Sequence, residues 1–314
     1  MFALSIVIVN WNTRDLLRTC IQSLYNRMSG TGREIIVVDN ASVDGSVELI
    51  RRDFAEVRLI ANPENVGFVQ ANNQALTHCK GRYVLLLNSD TQILPGSLDK
   101  AVQFMDRHPR VGIAGGRLLN SDGSFQASYT PFPTLWSEFL TLSTLGRRLI
   151  RPAFPSHGPC VEEGPQRIEG YVEGACLVVR REAIDQVGKL DEHIFMYAEE
   201  VDWCYRFDQA GWEVWYLPQV PIIHHGGRSS EKQRGRMEAE LYRSRAYFFH
   251  KHYGAVAAIS LKLLIYSMTM IKMGMHGALR FVTGDRVGRP VTGWRELHLA
   301  LSSVDSGSRE GTTS

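Results

Sequence analysis

The chain has 314 residues, 44% of them hydrophobic and 22% charged, with a formal net charge of +2 at pH 7. This is the composition of an ordinary globular protein with enough apolar residues for a core, and the balanced charge argues against dedicated nucleic-acid binding. The five cysteines, Cys20, Cys79, Cys160, Cys176 and Cys204, are scattered without Cys-x-x-Cys spacing, which predicts reduced core thiols in a cytoplasmic protein rather than a zinc knot or disulfide framework.

Met1 to Val9 runs straight into a β-rich stretch and lacks the basic region and cleavage site of a signal peptide. After Asn10-Trp11-Asn12 a helix is predicted from about Asp15 to Tyr25, with Leu16, Leu17, Cys20, Ile21 and Leu24 on one face. Glu34 to Val38 reads as a second strand that ends in Asp39-Asn-Ala-Ser-Val-Asp-Gly-Ser, and Val47 to Phe54 as a helix. Val57 to Ala61 is a third strand, followed by Asn65-Val-Gly-Phe and a helix through Ala71 to Cys79. The most informative run is Tyr83-Val-Leu-Leu-Leu-Asn-Ser-Asp-Thr. Its aliphatic part suits a strand covered on both faces, and Asn88, Ser89 and Asp90 then stand at the carboxyl end, where open α/β sheets bind ligands.

Strands alternating with helices imply parallel βαβ units whose polar tips collect on one edge of the sheet. Asn10, Asp39 and Asp90 each follow an apolar strand, so three separate runs deliver polar groups to one crevice. A helix from Pro95 to His108 is predicted next, then a strand over Val111 to Gly115, an Asp122-Gly123 hairpin, an amphipathic helix from Thr134 to Ile150 and a proline-rich loop over Arg151 to Pro165. Tyr171 to Arg181 reads as a strand, and a helix carrying Glu199, Glu200 and Asp202 ends at Gly211. Val214 to Leu217 is strand-like, and Ile222-Ile-His-His-Gly-Gly-Arg-Ser runs from apolar into polar residues.

Glu199 and Asp202 are one helical turn apart and Glu200 is about 100° away, so the three carboxylates cannot all face one way. Two readings stay open for them: an acidic first turn favoured by the helix dipole, or a carboxylate whose pKa is raised at the edge of the apolar face of Trp203, Cys204 and Phe207. An aspartate at one strand tip and His224 at another suit a divalent cation with positions left for a substrate phosphate, against the alternative of a core or capping histidine.

With these pieces in place the chain resembles the inverting family-2 glycosyltransferases, and within them the bacterial rhamnosyltransferase-like branch. The resemblance rests on Ser5-Ile-Val-Ile-Val-Asn-Trp-Asn, Val37-Val-Asp-Asn-Ala-Ser-Val-Asp-Gly-Ser, Asn65-Val-Gly-Phe with Asn72-Asn73, Leu87-Asn-Ser-Asp-Thr, Gly174-Ala-Cys-Leu-Val-Val-Arg-Arg, Glu199-Glu-Val-Asp-Trp-Cys and His224-His-Gly-Gly-Arg-Ser, in the family's order across roughly residues 4 to 230. It implies a GT-A fold: an α/β, Rossmann-like, mostly parallel sheet flanked by helices. It further implies that residues 1–230 form the glycosyltransferase domain, with a nucleotide-binding half over 1–117 and an acceptor-binding half over 118–230. Asp39 corresponds to the residue that reads the imide N–H of uracil or thymine, Val9 and Asn10 contact the nucleoside through their backbone, and Asn65, Asn88 and Ser89 belong to the nucleotide site. Asp90 stands at the charged end of the family's Asp-x-Asp metal motif, whose first position here is Asn88, and would bind Mg2+ or Mn2+ together with His224. Glu200 matches the catalytic base, with Glu in place of the more frequent Asp, while Glu199, Asp202 and Trp203 are expected around the acceptor or sugar. The donor implied is a nucleotide-diphosphate sugar, with rhamnose from its thymidine diphosphate the leading choice.

Ala255 to Leu279 is rich in Leu, Ile and Met but interrupted by Lys262 and Lys272, and it follows a basic stretch from Arg228 to Lys251. This predicts a membrane-associating helical extension over 231–300 that lies on an anionic bilayer rather than spanning it, with 301–314 a disordered tail. The partners expected are the sugar nucleotide, a lipid-linked glycan acceptor and the cytoplasmic face of the membrane, with no nucleic acid and homo-oligomerisation left open. The rival readings are a sugar nucleotidyltransferase, which lacks its glycine- and arginine-rich loop here, and a non-catalytic sugar-nucleotide-binding subunit. A dehydrogenase is disfavoured because no Gly-x-Gly-x-x-Gly follows the first strand.

Overall fold

The computed structural model describes residues 2–27, 32–150, 154–157, 164–226, 234–283 and 294–306. In chain order they form β1 Leu4–Asn10, α1 Arg14–Arg27, β2 Arg33–Asn40, α2 Ser46–Asp53, β3 Arg58–Asn62, α3 Phe68–Leu76, β4 Tyr83–Asn88, β5 Thr91–Ile93, α4 Ser97–Arg107, β6 Val111–Leu119, β7 Tyr129–Pro131 and α5 Leu135–Leu142. A short π-helical turn, Gly146–Ile150, follows, then β8 Gln166–Arg167, β9 Gly170–Val172, β10 Cys176–Arg180, α6 Arg181–Val187, α7 Glu199–Gln209, β11 Glu213–His224, α8 Arg234–Tyr253, α9 Ala255–Thr283 and α10 Trp294–Ser306. The chain divides into two compact units: Met1–Phe132, Ser156–Phe195 and Glu199–Ser229 make the first, and Pro133–Pro155, Met196–Ala198 and Ser230–Ser314 the second. The second unit therefore takes in two segments from the middle of the chain, not only the residues beyond about 230.

The first unit is built on a nine-stranded sheet with the order β3-β2-β1-β4-β10-β6-β11-β5, β8 pairing with β11 off this path. Strands β3, β2, β1 and β4 run parallel, as the alternation of strand and helix predicts. Ile6, Val7 and Ile8 of β1 and Val84, Leu85 and Leu86 of β4 are buried on both faces, and burial of each such side chain contributes roughly 1.5–3 kcal/mol. Strand β10 runs antiparallel to both of its neighbours, β4 and β6, and β11 returns to parallel beside β6. Arg180, at the end of β10, ties this centre to α4: its guanidinium donates to the carbonyls of Val111 at 2.8 Å, Met105 at 2.7 Å and His108 at 2.9 Å, satisfying carbonyls that a helix C-terminus leaves without partners.

Register does the positioning. Asn10 pairs with Asp39 across β1 and β2, Val9 with Asn88 across β1 and β4, and His224 with Thr91 across β11 and β5. The polar tips thus sit side by side.

Several elements differ from the sequence reading; among them, the strand-like runs at 214–217 and 222–224 are one strand, β11. The strand expected over 171–181 is two strands, β9 and β10, interrupted at Glu173-Gly174-Ala175. The single helix expected over 134–150 is α5 plus the turn at 146–150. Helix α10 continues to Ser306, so 301–306 are helical instead of a tail; Leu297, Leu301 and Val304 are buried at the spacing of one helix face. Residues 307–314, Cys160, Arg228, Lys232 and most of the 151–165 loop lie outside the described residues.

The second unit is helical. Tyr242, Ala246, Phe249, Ala258, Leu261 and Ile265 are buried within it, and Arg245 of α8 holds the buried Glu138 of α5 at 2.8 Å. The segment Ala255–Met275 of α9 is long and apolar enough, by length and composition, to cross a membrane. Only one side of its first turns is buried: Val256, Ile259 and Leu263 are exposed.

Candidate active site at the strand tips

The tips of β1 and β2 are fastened together by side chains. Asn10 Nδ2 donates to Asp39 Oδ2 at 2.8 Å and to Ser42 Oγ at 3.1 Å, and the Ser42 backbone N–H donates to Asp39 Oδ1 at 2.8 Å. Two non-glycine residues, Asn12 and Ala41, adopt left-handed backbone conformations at φ 54 and 60 immediately past these strands. For Ala this costs about 1–2 kcal/mol; it turns the chain so that Ser42 reaches back to Asp39. Thr13 donates to Asn10 Oδ1 at 2.7 Å and shares a 2.8 Å hydrogen bond with Ser89, joining β1 to the end of β4. Asp39 is 1% exposed and already accepts two hydrogen bonds, which leaves about two of a carboxylate's four lone-pair positions. Asn65, expected at the nucleotide, builds the turn before α3: its Oδ1 accepts from Gly67 N at 3.0 Å. Gly67 sits at φ +89, and a β-carbon there would lie 2.6 Å from the Phe195 ring, so only glycine fits.

The tips of β4 and β11 form the second half. His224 Nε2 lies 3.3 Å from Asp90 Oδ1 and 3.5 Å from Asn88 Nδ2. On its other side, Nδ1 lies 2.7 Å from Gln126 Oε1. The Gln126 amide is oriented by its own donors, Nε2 facing Asn120 Oδ1 at 3.1 Å and the His224 carbonyl at 3.4 Å. Its oxygen therefore faces Nδ1, Nδ1 carries the proton, and the Nε2 lone pair is turned on Asp90. Asn88 Nδ2 can donate to Nε2 at 3.5 Å, but the two acceptors Nε2 and Asp90 Oδ1, 3.3 Å apart, repel each other unless a second proton on His224 or a cation stands between them. A cation with oxygen or nitrogen ligands at about 2.1 Å in octahedral geometry brings neighbouring ligands to roughly 3 Å, close to this separation. Asp90 and His224 thus fit a divalent cation. Among the described residues no group of three His, Cys, Asp or Glu gathers; a magnesium ion bound with substrate phosphates ordinarily takes only one or two protein ligands. His225 is directed elsewhere, with its ring 2.7 Å from Ser121 Oγ and its N–H on the Asp90 carbonyl at 2.9 Å.

The third part is the start of α7. Tyr197 and Ala198, just before it, both take left-handed conformations at φ 66 and 63, a local strain of the kind that accumulates at functional sites. Of the carboxylates that follow, Glu200 remains partly exposed, with its side chain about 3.8 Å from the space a β-carbon on Gly174 would occupy. The next residue, Ala175, accepts the Asn88 N–H at 3.1 Å. Backbone continuity from Gly174 to Ala175 and this bond bring Glu200 to the strand tip that carries Asn88 and Asp90. Glu199 is 8% exposed.

Two residues expected around the acceptor or sugar are buried. Asp202 is fully buried and paired with Arg206 at 2.8 Å, and Arg206 also donates to the carbonyls of Val187 and Lys189. Trp203 is fully buried and donates to the Gly188 carbonyl at 2.9 Å. Both hold the loop after α6 against α7. The residues that sequence reasoning missed are Thr13, Ser42 and Gln126; an exposed-looking Gln just past an Asp-Gly turn carries no local signal of its partner near the end of β11. Among the described cysteines, burial pushes the thiols of Cys20 and Cys176 up to about 12 and that of Cys79 to about 11, the conditions for unreactive structural cysteines.

A mostly parallel sheet with the antiparallel strand β10 inserted between parallel strands, and acidic, amide and imidazole groups along one edge of strand tips, defines a GT-A-type glycosyltransferase. Solved structures of that class share the fold. The mannosyltransferase PcManGT from Pyrobaculum calidifontis, in complex with GDP-Man and Mn2+, superposes with TM-score 0.57 at 13% identity, covering 99% of this chain and 88% of that one. TarS of S. aureus, residues 1–349, gives 0.51 at 14% identity over 90% and 75%. Family models match as well, glycosyl transferase family 2 over residues 5–160 and glycosyl transferase family group 2 over residues 83–275. This chain belongs to glycosyltransferase family 2. It is 29% identical over 232 residues to the N-acetylglucosaminyl-diphospho-decaprenol L-rhamnosyltransferase of Mycobacterium tuberculosis, covering 68% of this chain and 73% of that protein. It is also 25% identical over 289 residues to the low-salt glycan biosynthesis hexosyltransferase Agl10 of Haloferax volcanii, over 89% and 87% of the two chains.

Proposed function

We propose that this protein is an inverting, divalent-cation-dependent hexosyltransferase that moves a sugar, rhamnose from dTDP-rhamnose being the first choice, onto a lipid-linked glycan acceptor at the cytoplasmic face of the membrane. The observation that carries the reading is the opposed pair Asp90 Oδ1 and His224 Nε2, 3.3 Å apart, at a strand tip shared with Glu200. The rhamnosyltransferase relative acts, by its name, on a decaprenol-linked acceptor, and the Mn2+ in the mannosyltransferase complex supports the choice of cation.

Asp90 and His224 would hold Mg2+ or Mn2+, which when bound offsets the charge that builds on the departing diphosphate. Val9 and Asn10 offer backbone to the nucleoside, and the two remaining lone-pair positions of Asp39 accept from the base. Asn88 and Ser89 line the path between base and diphosphate, and Asn65 keeps the neighbouring turn in shape. Glu200 Oε takes the proton from the acceptor hydroxyl as that oxygen attacks the anomeric carbon on the face opposite the leaving group. One base with no protein nucleophile makes a single displacement, hence inversion. Glu199, buried beside it, positions the start of α7 rather than meeting the substrate. The exposed apolar side of α9 rests on the bilayer that carries the acceptor.

The test is calorimetric titration with thymidine, uridine and guanosine diphosphates, each with and without Mg2+ or Mn2+. Metal-dependent binding of a pyrimidine diphosphate that Asp90→Ala and Asp39→Ala weaken is the expected result. A preference for the guanosine compound, or binding indifferent to metal, overturns the assignments of Asp39 and Asp90.

A further inference from the structure

The second unit exposes apolar surface on more than α9. At the start of α5, Leu135 and Trp136 are exposed, Trp136 to 67%, and in the turn at 146–150 Leu149 is 76% and Ile150 56% exposed. Single exposed apolar residues are ordinary; a tryptophan, two leucines and an isoleucine exposed within sixteen positions, on a helix and the turn packed against it, are a candidate interaction surface.

The patch is held firmly. Thr134 and Ser137 form a reciprocal cap at the start of α5, with Ser137 N on Thr134 Oγ1 at 3.1 Å and Thr134 N on Ser137 Oγ at 2.9 Å. Trp136 stacks on Phe139 at 5.5 Å between ring centroids. Further along α5, Glu138 is anchored by Arg245, and α5 packs against both α9 and the 146–150 turn. The exposed residues of 135–150 therefore belong to the same packed body as the exposed side of α9.

Charge decides the occupant. No Asp or Glu occurs between Glu240 and Asp285; in that stretch Lys251 and Lys272 are exposed, whereas Arg243 pairs with Glu240, Arg245 with Glu138, and Lys262 is buried. No Asp or Glu occurs between Phe139 and Val161 either, where Arg147, Arg148 and Arg151 lie; Glu138, just before it, is neutralised by its pair. Arg148 sits directly before Leu149 and Ile150 and is exposed. Apolar side chains with an indole, edged by cations and free of carboxylates in sequence, match the boundary of an anionic bilayer. A second copy of the chain would bring the same positive charge to the same face.

We infer that residues 135–150 form a second membrane contact, in which Trp136, Leu149 and Ile150 enter the headgroup region of an anionic leaflet beside α9. The inference rests on the reading of α9 as membrane-associated and adds a partner for a segment which that reading leaves unexplained. A bipartite contact fixes the orientation of the unit on the membrane, where one helix alone leaves it free to roll about its axis.

The test uses the full chain and sedimentation with vesicles of phosphatidylcholine, with and without phosphatidylglycerol. The Leu149→Glu/Ile150→Glu double variant is expected to lower partitioning onto the anionic vesicles at least tenfold, with an unchanged thermal midpoint. Trp136→Phe removes a component of the tryptophan fluorescence that brominated lipids quench. Ile259→Glu/Leu263→Glu serves as the reference for α9. If the 149/150 variant binds like the parent while the α9 variant is released, the second contact is wrong and the α9 reading stands. If neither variant changes partitioning, or the parent ignores vesicles, both fall. Equal binding to neutral vesicles overturns the anionic choice, and a parent dimer in light scattering that the 149/150 variant dissociates assigns the patch to a second copy instead. Nucleotide binding by every variant, measured in parallel, keeps these outcomes separate from the catalytic site.

Discussion

The strand-tip crevice and the helices of the second unit break the rule of burial in opposite ways. In the crevice, Asn10, Asp39, Ser89 and Asp90 are polar and buried. In the second unit, Trp136, Leu149, Val256 and Leu263 are apolar and exposed. Each inversion costs free energy in water unless something compensates. The crevice compensates internally, by a chain of hydrogen bonds from Ser42 through Asp39, Asn10 and Thr13 to Ser89, and stops compensating at the Asp90–His224 pair. Among the described residues the second unit leaves these side chains exposed. The proposed site for a small charged ligand is thus marked by an opposed pair beside a hydrogen-bonded network, and the proposed membrane contact by exposed apolar side chains.

The sharpest test of the first half is Glu200→Gln. Removing a general base is expected to lower turnover by about 10²–10⁴-fold while nucleotide affinity, measured calorimetrically, stays within twofold; undiminished turnover would assign the base elsewhere. Next comes a matched pair of truncations that sets the two regions against each other. Leu85→Ala, in a fully buried strand, should cost roughly 2–5 kcal/mol in denaturant unfolding, whereas Leu263→Ala, at 62% exposure, should stay within about 0.5 kcal/mol. A large cost at Leu263 would mean that α9 is a core helix and would dissolve the contrast.

A finer test concerns Gln126. Gln126→Leu keeps the volume but removes the acceptor for His224 Nδ1, and Mn2+ affinity read by electron paramagnetic resonance should fall about 10–100-fold, the usual effect of losing a group that orients a metal ligand. The smallest effect is at Asp44. Burial opposes its charge, but hydrogen bonds from Ser46 Oγ, Arg14 N and Ser46 N outweigh burial and hold the carboxyl below its ordinary value. A folded-state value below the unfolded one, near 4, means that the ionised group stabilises the fold fully above that pH and ceases to as the pH falls through the folded value. The thermal midpoint of the parent should accordingly decline more steeply than that of Asp44→Asn below about pH 4.

Much of this was legible in the sequence because strands buried on both faces announce themselves. The run Tyr83 to Asp90 located a central strand and its tip, and the parallel alternation of the first ninety residues placed Asn10, Asp39 and Asp90 along one edge. What was not legible depends on contacts distant in sequence. The antiparallel direction of β10 has no signature, since an apolar pentapeptide reads alike both ways. Trp203 and Asp202 looked like site residues by proximity to Glu200, yet helical geometry turned them inward, where Arg206 and the Gly188 carbonyl receive them. Gln126 and His224 are 98 positions apart, beyond any local pattern. The membership of 133–155 in the second unit likewise rests on packing between α5 and α9, which amphipathicity alone does not direct.

The position of β10 bears on how the chain is made. It lies between β4 and β6, but the ribosome delivers both of these before it. While residues up to about 170 emerge, two apolar strand edges that must never pair with each other wait open side by side, and exposed edges of this kind are templates for wrong pairing. Closure of the sheet is therefore a late, single event that joins β3, β2, β1 and β4 to β6, β11 and β5. Nascent chains released before Arg180 should aggregate, while those released shortly after β11 should be the first to resist proteolysis across the whole sheet.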